Sequence, residues 1–429
     1  MRQRIVTLRR AGWGIADQAL SSLTNFALGI LVVRTVDLAA FGAFSLAFAA
    51  YLLIVSVTRA YPMDPLAIRY AAAPPAAFRR AASAATGTVV VVGIACGAVL
   101  LLVGLATSGS FSESLLALGI TFPGLLLQDA WRSTFFAGGR GRLAFLNDVT
   151  WTAVEFPALA VFIASGGRSV FWPVLIWGGS ATVAAVVGIL QASTMPRPWL
   201  TVAWWREHSD LGSRFIAEVL ARVVSGQLQL YGVGLMAGLA AVGTLRAGQL
   251  LFGPVQVVVF GIGMMALPEG ARALAASLHA LRRTALLISG VLATLAALWG
   301  VLVLLIPAGL GSLLLGEAWE PAYSLAVPIM LALTAVSLSN GAGMGLRALS
   351  AAGRSLRATM VVSALTLVLG IGGAALEGAS GSAWGLCLAA AIGAPIYWYE
   401  YARAAREYAA DSAARSGPGP GSGTAAALA

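Results

Sequence analysis

Hydrophobic stretches of about 18 to 25 residues recur from one end of the chain to the other, separated by short polar segments. At 1.5 Å per residue, each is long enough to cross a hydrocarbon core about 30 Å thick as an α-helix. The period-two alternation of a membrane β-barrel is missing. The sequence therefore predicts an all-α integral membrane protein with about twelve transmembrane helices. Their predicted bounds are 11–34, 38–60, 82–107, 114–137, 144–165, 170–192, 214–238, 243–267, 284–308, 322–346, 358–376 and 381–402.

The distribution of arginine predicts the orientation of these helices. Of 429 residues, 59% are hydrophobic and 10% are charged, and all 27 basic residues are arginine. Arginines gather in alternate loops, as at Arg79 and Arg80 or at Arg282 and Arg283, and are scarce in the loops between. By the positive-inside rule, both termini are predicted to be cytoplasmic. The net charge of +10 follows from this topology, and no nucleic-acid partner is predicted, because the arginines do not form one surface stripe.

An internal repeat relates the two halves of the chain. The segment LAAFG at 38–42 recurs as LAAVG at 239–243. At the same offset, the polar positions of the first span align with those of the seventh: Asp17 with Glu218, Ser21 with Arg222, Thr24 with Ser225, and Leu28 with Gln229. Each set steps by four, three and four residues and so lies on one helical face. Since each half has six spans, the repeat predicts two parallel six-helix bundles related by a pseudo-two-fold axis along the membrane normal.

The repeat divides the chain into four segments. The amino-terminal bundle is predicted at 1–192 and the carboxy-terminal bundle at 214–403. Between them, residues 193–213 carry three tryptophans beside charged residues, which predicts a cytoplasmic interfacial linker helix. Residues 404–429 end in SGPGPGSGTAAALA and are predicted to be a disordered cytoplasmic tail.

Ionisable and amide side chains lie inside several predicted spans. An aspartate such as Asp17 costs about 2.5–3.5 kcal/mol at the middle of a bilayer, so such residues indicate function by default. We predict that Asp17 and Glu218 couple transport to an ion. The predicted cavity-lining, substrate-binding residues are Asn25, Gln128, Arg132, Glu155, Arg222, Ser225, Gln229 and Arg246. Structural roles are the alternative: Arg132 would form a static ion pair with Asp148, and Arg246 would anchor the outer interface.

No catalytic motif competes with a transport function. His208 and His279 are both predicted to be cytoplasmic and unpaired, so the sequence predicts no metal site. A Walker-type nucleotide loop requires lysine, which this chain lacks. The protein is therefore predicted not to be an enzyme and to hold no cofactor, and any energy coupling would use H⁺ or Na⁺.

Several segments resemble a known family of membrane proteins. They are GWGIADQALSSLTNFALGILVVRTVDLAAFGAFSLAFAAY in the first half, its partner LAAVGTLRAG, and the connections RSTFFAGGRGRLAFLND and LRALSAAGRSLRA. Together they resemble the polysaccharide transporter (O-antigen flippase-like) family of the multidrug/oligosaccharidyl-lipid/polysaccharide (MOP, MATE-like) superfamily. The resemblance implies a V-shaped pair of six-helix bundles in the bacterial cell membrane. It also implies that the protein moves a polyprenyl-diphosphate-linked oligosaccharide from the inner to the outer leaflet by alternating access.

Two functions fit these residues. In a flippase, Arg132, Arg222 and Arg246 would attract the diphosphate, while Asn25, Ser225 and Gln229 would bind sugars. A monomer working beside glycan polymerases or glycosyltransferases is expected in that case. The alternative is a cation-coupled multidrug exporter of the same superfamily, in which the carboxylates would pair with cationic compounds. A glycan polymerase or ligase is disfavoured, because the predicted outer loops leave no room for a catalytic domain.

Overall fold

The computed structural model describes residues 2–416. The side chains at 2–11, 211–215, 217–223, 260–261, 263–265, 267 and 413–416 are outside that description. The described chain forms helices without strands. Their bounds are α1 (Arg2–Thr35), α2 (Leu38–Thr58), α3 (Asp64–Tyr70), α4 (Pro75–Ala106), α5 (Gly109–Ala137), α6 (Gly141–Ala164), α7 (Phe171–Ala192), α8 (Thr201–Leu250), α9 (Gly253–Ala276), α10 (Leu278–Leu304), α11 (Ala308–Leu315), α12 (Trp319–Ser324), α13 (Ala326–Ala348) and α14 (Ala352–Ser416).

The predicted all-α membrane architecture is confirmed. Within the described residues, nine helices are long and apolar enough to cross a membrane. Two long helices contain breaks: α8 at Gly238, and α14 at Glu377 and Gly378. The chain reverses direction at both places, since Gly234 lies against Val242 and Gly373 lies against Gly381. Each of these helices therefore supplies segments to two of the predicted spans.

The predicted eighth span is discontinuous. Helix α8 ends at Leu250 and α9 begins at Gly253, so the break falls inside the continuous span predicted at 243–267. Pro254 explains the position of the break, because proline has no N–H to donate to the preceding turn but is well tolerated in the first turn of a new helix. Proline also accompanies a change of helix geometry just beyond the second span predicted at 38–60. There Pro62 lies in a π-helical turn, Arg59–Met63, between α2 and α3.

The repeated segments meet each other at the end of the bundle where α1 finishes. A Cβ atom on Gly42 would overlap the carbonyl oxygen of Leu239, and one on Gly243 would overlap the carbonyl oxygen of Leu38. Each glycine thus lies against the backbone of the other copy of the repeat. This reciprocal contact is the one expected if a pseudo-two-fold axis passes between the two copies. We call this contact the glycine crossing. It joins the first half (residues 2–192) to the second half (residues 214–403).

Within the segment between the halves, residues 201–213 form the first turns of α8, and a short 3-10 turn, Pro198–Leu200, precedes them. Tyr61 Oη donates to the Trp205 carbonyl oxygen at 2.6 Å, and Arg69 Nη2 pairs with Asp210 Oδ2 at 2.6 Å. These contacts attach residues 201–210 to the first half, while the same helix continues without a break to Gly238 in the second half. The position of this segment at a membrane interface stays a prediction.

The carboxy-terminal helix is longer than the sequence analysis predicted. Residues 404–416 are helical, although they belong to the predicted disordered tail, and 417–429 lie outside the described residues. Arg354 at the start of α14 explains part of this order, because it pairs with Glu400 at 2.9 Å and with Glu407. The hydrogen bond from Arg354 also holds the pKa of Glu407 below its usual value. These ion pairs tie the end of α14 back to its beginning.

Substituting alanine for Gly238 is expected to destabilise the protein by about 1–3 kcal/mol, the usual cost of a strained backbone conformation. Gly238 has φ 83° and ψ 173°, a region that residues with a Cβ rarely adopt, and its surroundings are open. Thermal unfolding in detergent would measure the change. Gly372→Ala is the matched control, because Gly372 is helical and also has open surroundings. Equal melting temperatures for the two variants would contradict the prediction.

Candidate substrate cavity

A cavity of about 690 Å³ lies between the two halves. Its walls come from α1, α2, the last turns of α8 and the first turns of α9, on both sides of the break in the eighth span. The side chains on which its chemistry depends are Gln18, Ser22, Asn25, Phe26, Phe41, Phe44, Ser45, Phe48, Arg246, Gln249 and Gln256. Its size is within the range of about 300–1,000 Å³ that is usual for small-molecule sites.

The polar face of α1 forms one wall of the cavity. Gln18, Ser22, Asn25 and Gly29 recur at helical spacing and all line it. Gln18 Nε2 donates to Ser22 Oγ at 3.2 Å, and Asn25 Nδ2 donates to the Ser21 carbonyl oxygen at 2.8 Å. Part of the hydrogen-bonding capacity of these groups is thus satisfied within the helix. This arrangement explains how a membrane-spanning helix accommodates a polar stripe.

The opposite wall is aromatic and belongs to α2. Phe41, Phe44 and Phe48 follow one another on one helical face, with neighbouring ring centroids 6.1 and 6.3 Å apart and nearly parallel rings. Phe41 and Phe44 are buried, whereas Phe48 is half-buried and packs on Trp177. The wall is therefore a rigid apolar surface.

Arg246 is the charged group of the cavity among the lining residues that the structure describes. Its Nη1 donates to Gln249 Oε1 at 3.1 Å, and no described carboxylate lies within ion-pair distance of it. The break at 251–252 also places the amino-terminal end of α9 at the cavity, where the helix dipole favours negative charge. Together, the guanidinium and the helix end make this part of the cavity attractive to anions.

Asp17 faces away from the cavity, into a charged cluster inside the first half. It is fully buried, and its Oδ2 accepts from Arg132 Nε at 2.7 Å. Arg132 Nε also lies 3.6 Å from Asp148 Oδ2. Gln128 Nε2 in turn donates to Asp148 Oδ1 at 2.8 Å and to Asn147 Oδ1 at 3.2 Å. Arg132 is thus shared between two buried carboxylates, those of Asp17 and Asp148. The ion pair with Asp148 is the one that the sequence analysis gave as the structural alternative for Arg132.

A second ion pair lies beside this one. Arg59 Nε donates to Asp129 Oδ2 at 2.9 Å, and a second guanidinium nitrogen of Arg59 contacts Oδ1. Among the described residues, the cluster therefore contains three buried carboxylates, the half-buried Arg132 and the exposed Arg59. Asp17 Oδ1 has no hydrogen-bond partner in the described part of the chain. Arg59 and Arg132 also line a smaller cavity of about 470 Å³ near the π-helical turn. Among the described residues, the carboxylates of this cluster outnumber the guanidinium groups by one.

The other predicted site residues are dispersed. Glu155 is buried in α6, and its Oε1 has no partner among the described residues. Gln229 is buried inside the second half, where it donates to Ser382 Oγ at 2.9 Å. Ser225 is half-buried on α8 and, like Gln229, does not line the cavity. The side chains of Glu218 and Arg222 lie outside the described residues, so the roles predicted for them stay predictions.

The cavity includes side chains that the sequence analysis did not select. Gln249 and Gln256 flank the helix break, and the Gly253-Pro254 pair was the signal that could have marked it. Gln18 was visible as part of the polar stripe on α1. Arg59 lies at the inner end of a predicted span, where the positive-inside rule already accounts for an arginine.

The two helical halves, the cavity between them and the break in the eighth span can be compared with the folds of solved membrane proteins. The structure is similar to a multidrug resistance MATE family transporter of the MOP superfamily in its inward-facing conformation, with a TM-score of 0.70 at 14% identity, covering 92% of this chain and 96% of the other. It is equally similar to the lipid II flippase MurJ in an inward closed conformation, with a TM-score of 0.70 at 10% identity, covering 93% of this chain and 90% of the other.

An outward-facing MATE family transporter gives a lower TM-score of 0.61 at 13% identity, covering 94% of this chain and 96% of the other. No family profile matches the sequence, and the search of curated proteins found no significant match. The predicted MATE-like fold is thus confirmed by structural similarity, and membership of the MOP superfamily stays a prediction. Membership of the O-antigen flippase-like family stays a prediction.

Proposed function

We propose that this protein is a transporter that flips a polyprenyl-diphosphate-linked oligosaccharide from the inner to the outer leaflet by alternating access. Arg246 carries the proposal: it lines the cavity between the halves, and no described carboxylate pairs with it. A guanidinium inside a membrane protein is costly without a counter-charge, and a diphosphate would supply one with matching geometry. The amino-terminal end of α9 would add to the attraction.

The arrangement of carboxylates makes the cation-coupled multidrug exporter the weaker candidate. Among the described residues, the buried aspartates Asp17, Asp129 and Asp148 are engaged by Arg59 or Arg132 in the first half. No carboxylate is found among the described side chains that line the cavity. A cationic compound would therefore meet an arginine in the cavity instead of an acid.

The excess of one carboxylate among the described residues of the cluster supports the proposed ion coupling. With three carboxylates and two arginines, the cluster would take up one proton or one Na⁺, and Asp17 Oδ1 is the atom without a partner. Glu218 remains a proposed second coupling residue. We further propose that the protein acts as a monomer in the bacterial cell membrane with both termini cytoplasmic, beside glycosyltransferases or a glycan polymerase.

The proposed cytoplasmic location of the termini determines the side of the membrane to which the cavity would open. If α1 starts on the cytoplasmic side, the glycine crossing lies at the outer end of the bundle. The two halves then meet on the outside, and the cavity would receive its substrate from the inside. The higher similarity to the inward-facing than to the outward-facing transporter supports this assignment.

Replacing Arg246 with glutamine is expected to slow flipping by about 10- to 100-fold, because hydrogen bonds to charged groups contribute about 1.5–3 kcal/mol. Purified protein in liposomes would be given a fluorescent polyprenyl-diphosphate-linked sugar, and its arrival in the other leaflet would be measured by quenching. Arg283→Gln is the matched control, because Arg283 is exposed at the start of α10 and should be dispensable.

Two results would contradict the proposed function. If Arg246→Gln flips the lipid as fast as the wild type, no diphosphate is bound at this position, and the proposal is contradicted. Efflux of cationic dyes by the wild type, with no flipping of the lipid probe, would identify the exporter instead. Deletion of the gene gives an independent readout: polyprenyl-linked glycan should accumulate and surface polysaccharide should fall.

A further inference from the structure

The two walls of the cavity differ in a way that bears on the identity of the sugar. We propose that the cavity selects an uncharged, hydroxyl-rich sugar next to the diphosphate; this inference rests on the proposed function. The sugar ring would lie on the phenylalanine wall of α2, and its hydroxyl groups would bond to carboxamides on α1 and beside the helix break. Gln249 would be the residue that joins recognition of the diphosphate to recognition of the first sugar.

The phenylalanine wall suits the apolar face of a sugar ring. The C–H groups on one face of a pyranose pack against aromatic rings, and Phe48, Phe44 and Phe41 all line this cavity. Phe48 also packs against Trp177, whose ring centroid is 5.3 Å away. An aromatic side chain held in this manner loses little entropy when a ligand binds.

The carboxamides retain unused donors and acceptors. Gln249 accepts from Arg246 through Oε1, and its Nε2 has no partner among the described residues. Asn25 uses Nδ2 within α1, and its Oδ1 has no described partner. Gln256 is exposed, and neither end of its amide is bonded to a described residue. A carboxamide both donates and accepts, as a hydroxyl group does, and this match suits a polyol.

The charge of the cavity disfavours acidic sugars. Arg246 is the one cation among the described lining residues, and in the proposed function the diphosphate engages it. A uronic acid would bring a further carboxylate beside described lining residues whose amides, hydroxyl groups and phenyl rings provide no second counter-charge. Burying an unpaired charge in such surroundings is costly, whereas an uncharged sugar has no such cost.

A binding experiment on the full chain in lipid nanodiscs tests this inference. Three probes share one lipid: farnesyl diphosphate, farnesyl diphosphate linked to N-acetylglucosamine, and farnesyl diphosphate linked to glucuronic acid. The wild type is expected to bind the N-acetylglucosamine probe at least about tenfold more tightly than the glucuronic acid probe, because the second carboxylate would be unpaired. Gln256→Arg is expected to reduce or reverse this preference, with Gln256→Leu as the matched control that adds no charge.

The outcomes separate this inference from the proposed function. If farnesyl diphosphate binds in an Arg246-dependent manner but the two sugar probes bind equally well, the inference on the sugar is wrong and the flippase proposal stands. A failure of Gln256→Arg to improve binding of the glucuronic acid probe also counts against the inference. If farnesyl diphosphate itself does not bind, the proposed function fails, and the inference fails with it.

Discussion

Replacing Arg132 with glutamine is expected to lower the free energy of unfolding by about 3–5 kcal/mol, the usual cost of removing one partner from a buried ion pair. Asp17 and Asp148 share Arg132, and both are buried. Without the guanidinium, two carboxylates would face each other across the interior of the first half. Chemical or thermal unfolding in detergent, followed by circular dichroism, would measure the loss.

A second substitution shows whether charge is the cause. Asp17→Asn combined with Arg132→Gln removes one carboxylate together with the guanidinium and should recover a large part of the stability. Arg142→Gln is the control, because Arg142 is exposed at the start of α6. If Arg132→Gln and Arg142→Gln unfold at the same temperature or denaturant concentration, the ion pairs of Arg132 do not stabilise the fold.

Replacing Gly42 with valine is expected to force the two halves apart at the glycine crossing. The added Cβ would overlap the carbonyl oxygen of Leu239, which belongs to a helix backbone and cannot rotate away as a side chain would. Overpacking of this kind costs about 1–3 kcal/mol. If that cost falls only on the conformation in which the halves touch at the glycine crossing, it shifts the equilibrium by about 5- to 150-fold towards the conformation in which they are separated there.

Spin labels attached at positions 108 and 310 would report this opening. These exposed positions lie near the same end of the bundle, in the first and second halves respectively. The distance between the labels should lengthen in Gly42→Val, and in Gly243→Val to a similar extent, because the contact is symmetric. Gly179→Val is the control, because nothing lies within 4 Å of the position of its Cβ. Unchanged distances in both Gly42→Val and Gly243→Val would show that the glycine crossing does not hold the two halves together at this end of the bundle.

The hydrophobic pattern was sufficient to predict an all-α membrane architecture, and the repeat identified two equivalent turns. Segments 38–42 and 239–243 mark equivalent turns, and the structure brings them together at Gly42 and Gly243. Local chemistry fixes much of this: Asp37 accepts from Ala40 N at 2.8 Å and caps α2, while Gly238 permits the corresponding turn in the second half. Such signals lie within a few residues of the features they produce, and sequence reasoning can use them.

The site was harder to predict, because periodicity tells which face of a helix is polar but not what that face meets. Asn25 and Gln229 both belong to polar faces. The first lines the cavity, whereas the second is bonded to Ser382, 153 positions along the chain. Likewise, Asp17 has its partner at Arg132, and nothing in the sequence around either residue indicates that pairing. These outcomes depend on how distant helices pack.

The continuity of α8 determines where bending must occur if the halves change their angle. Its first turns are held by Tyr61 and Arg69 of the first half, yet its later turns, including Gln229, pack within the second half. A rigid rod fixed at both ends would resist any rocking motion. Any change in the angle between the halves would therefore have to be accommodated by bending of the helix between residues 211 and 228, so the stiffness of this one segment would oppose such a change.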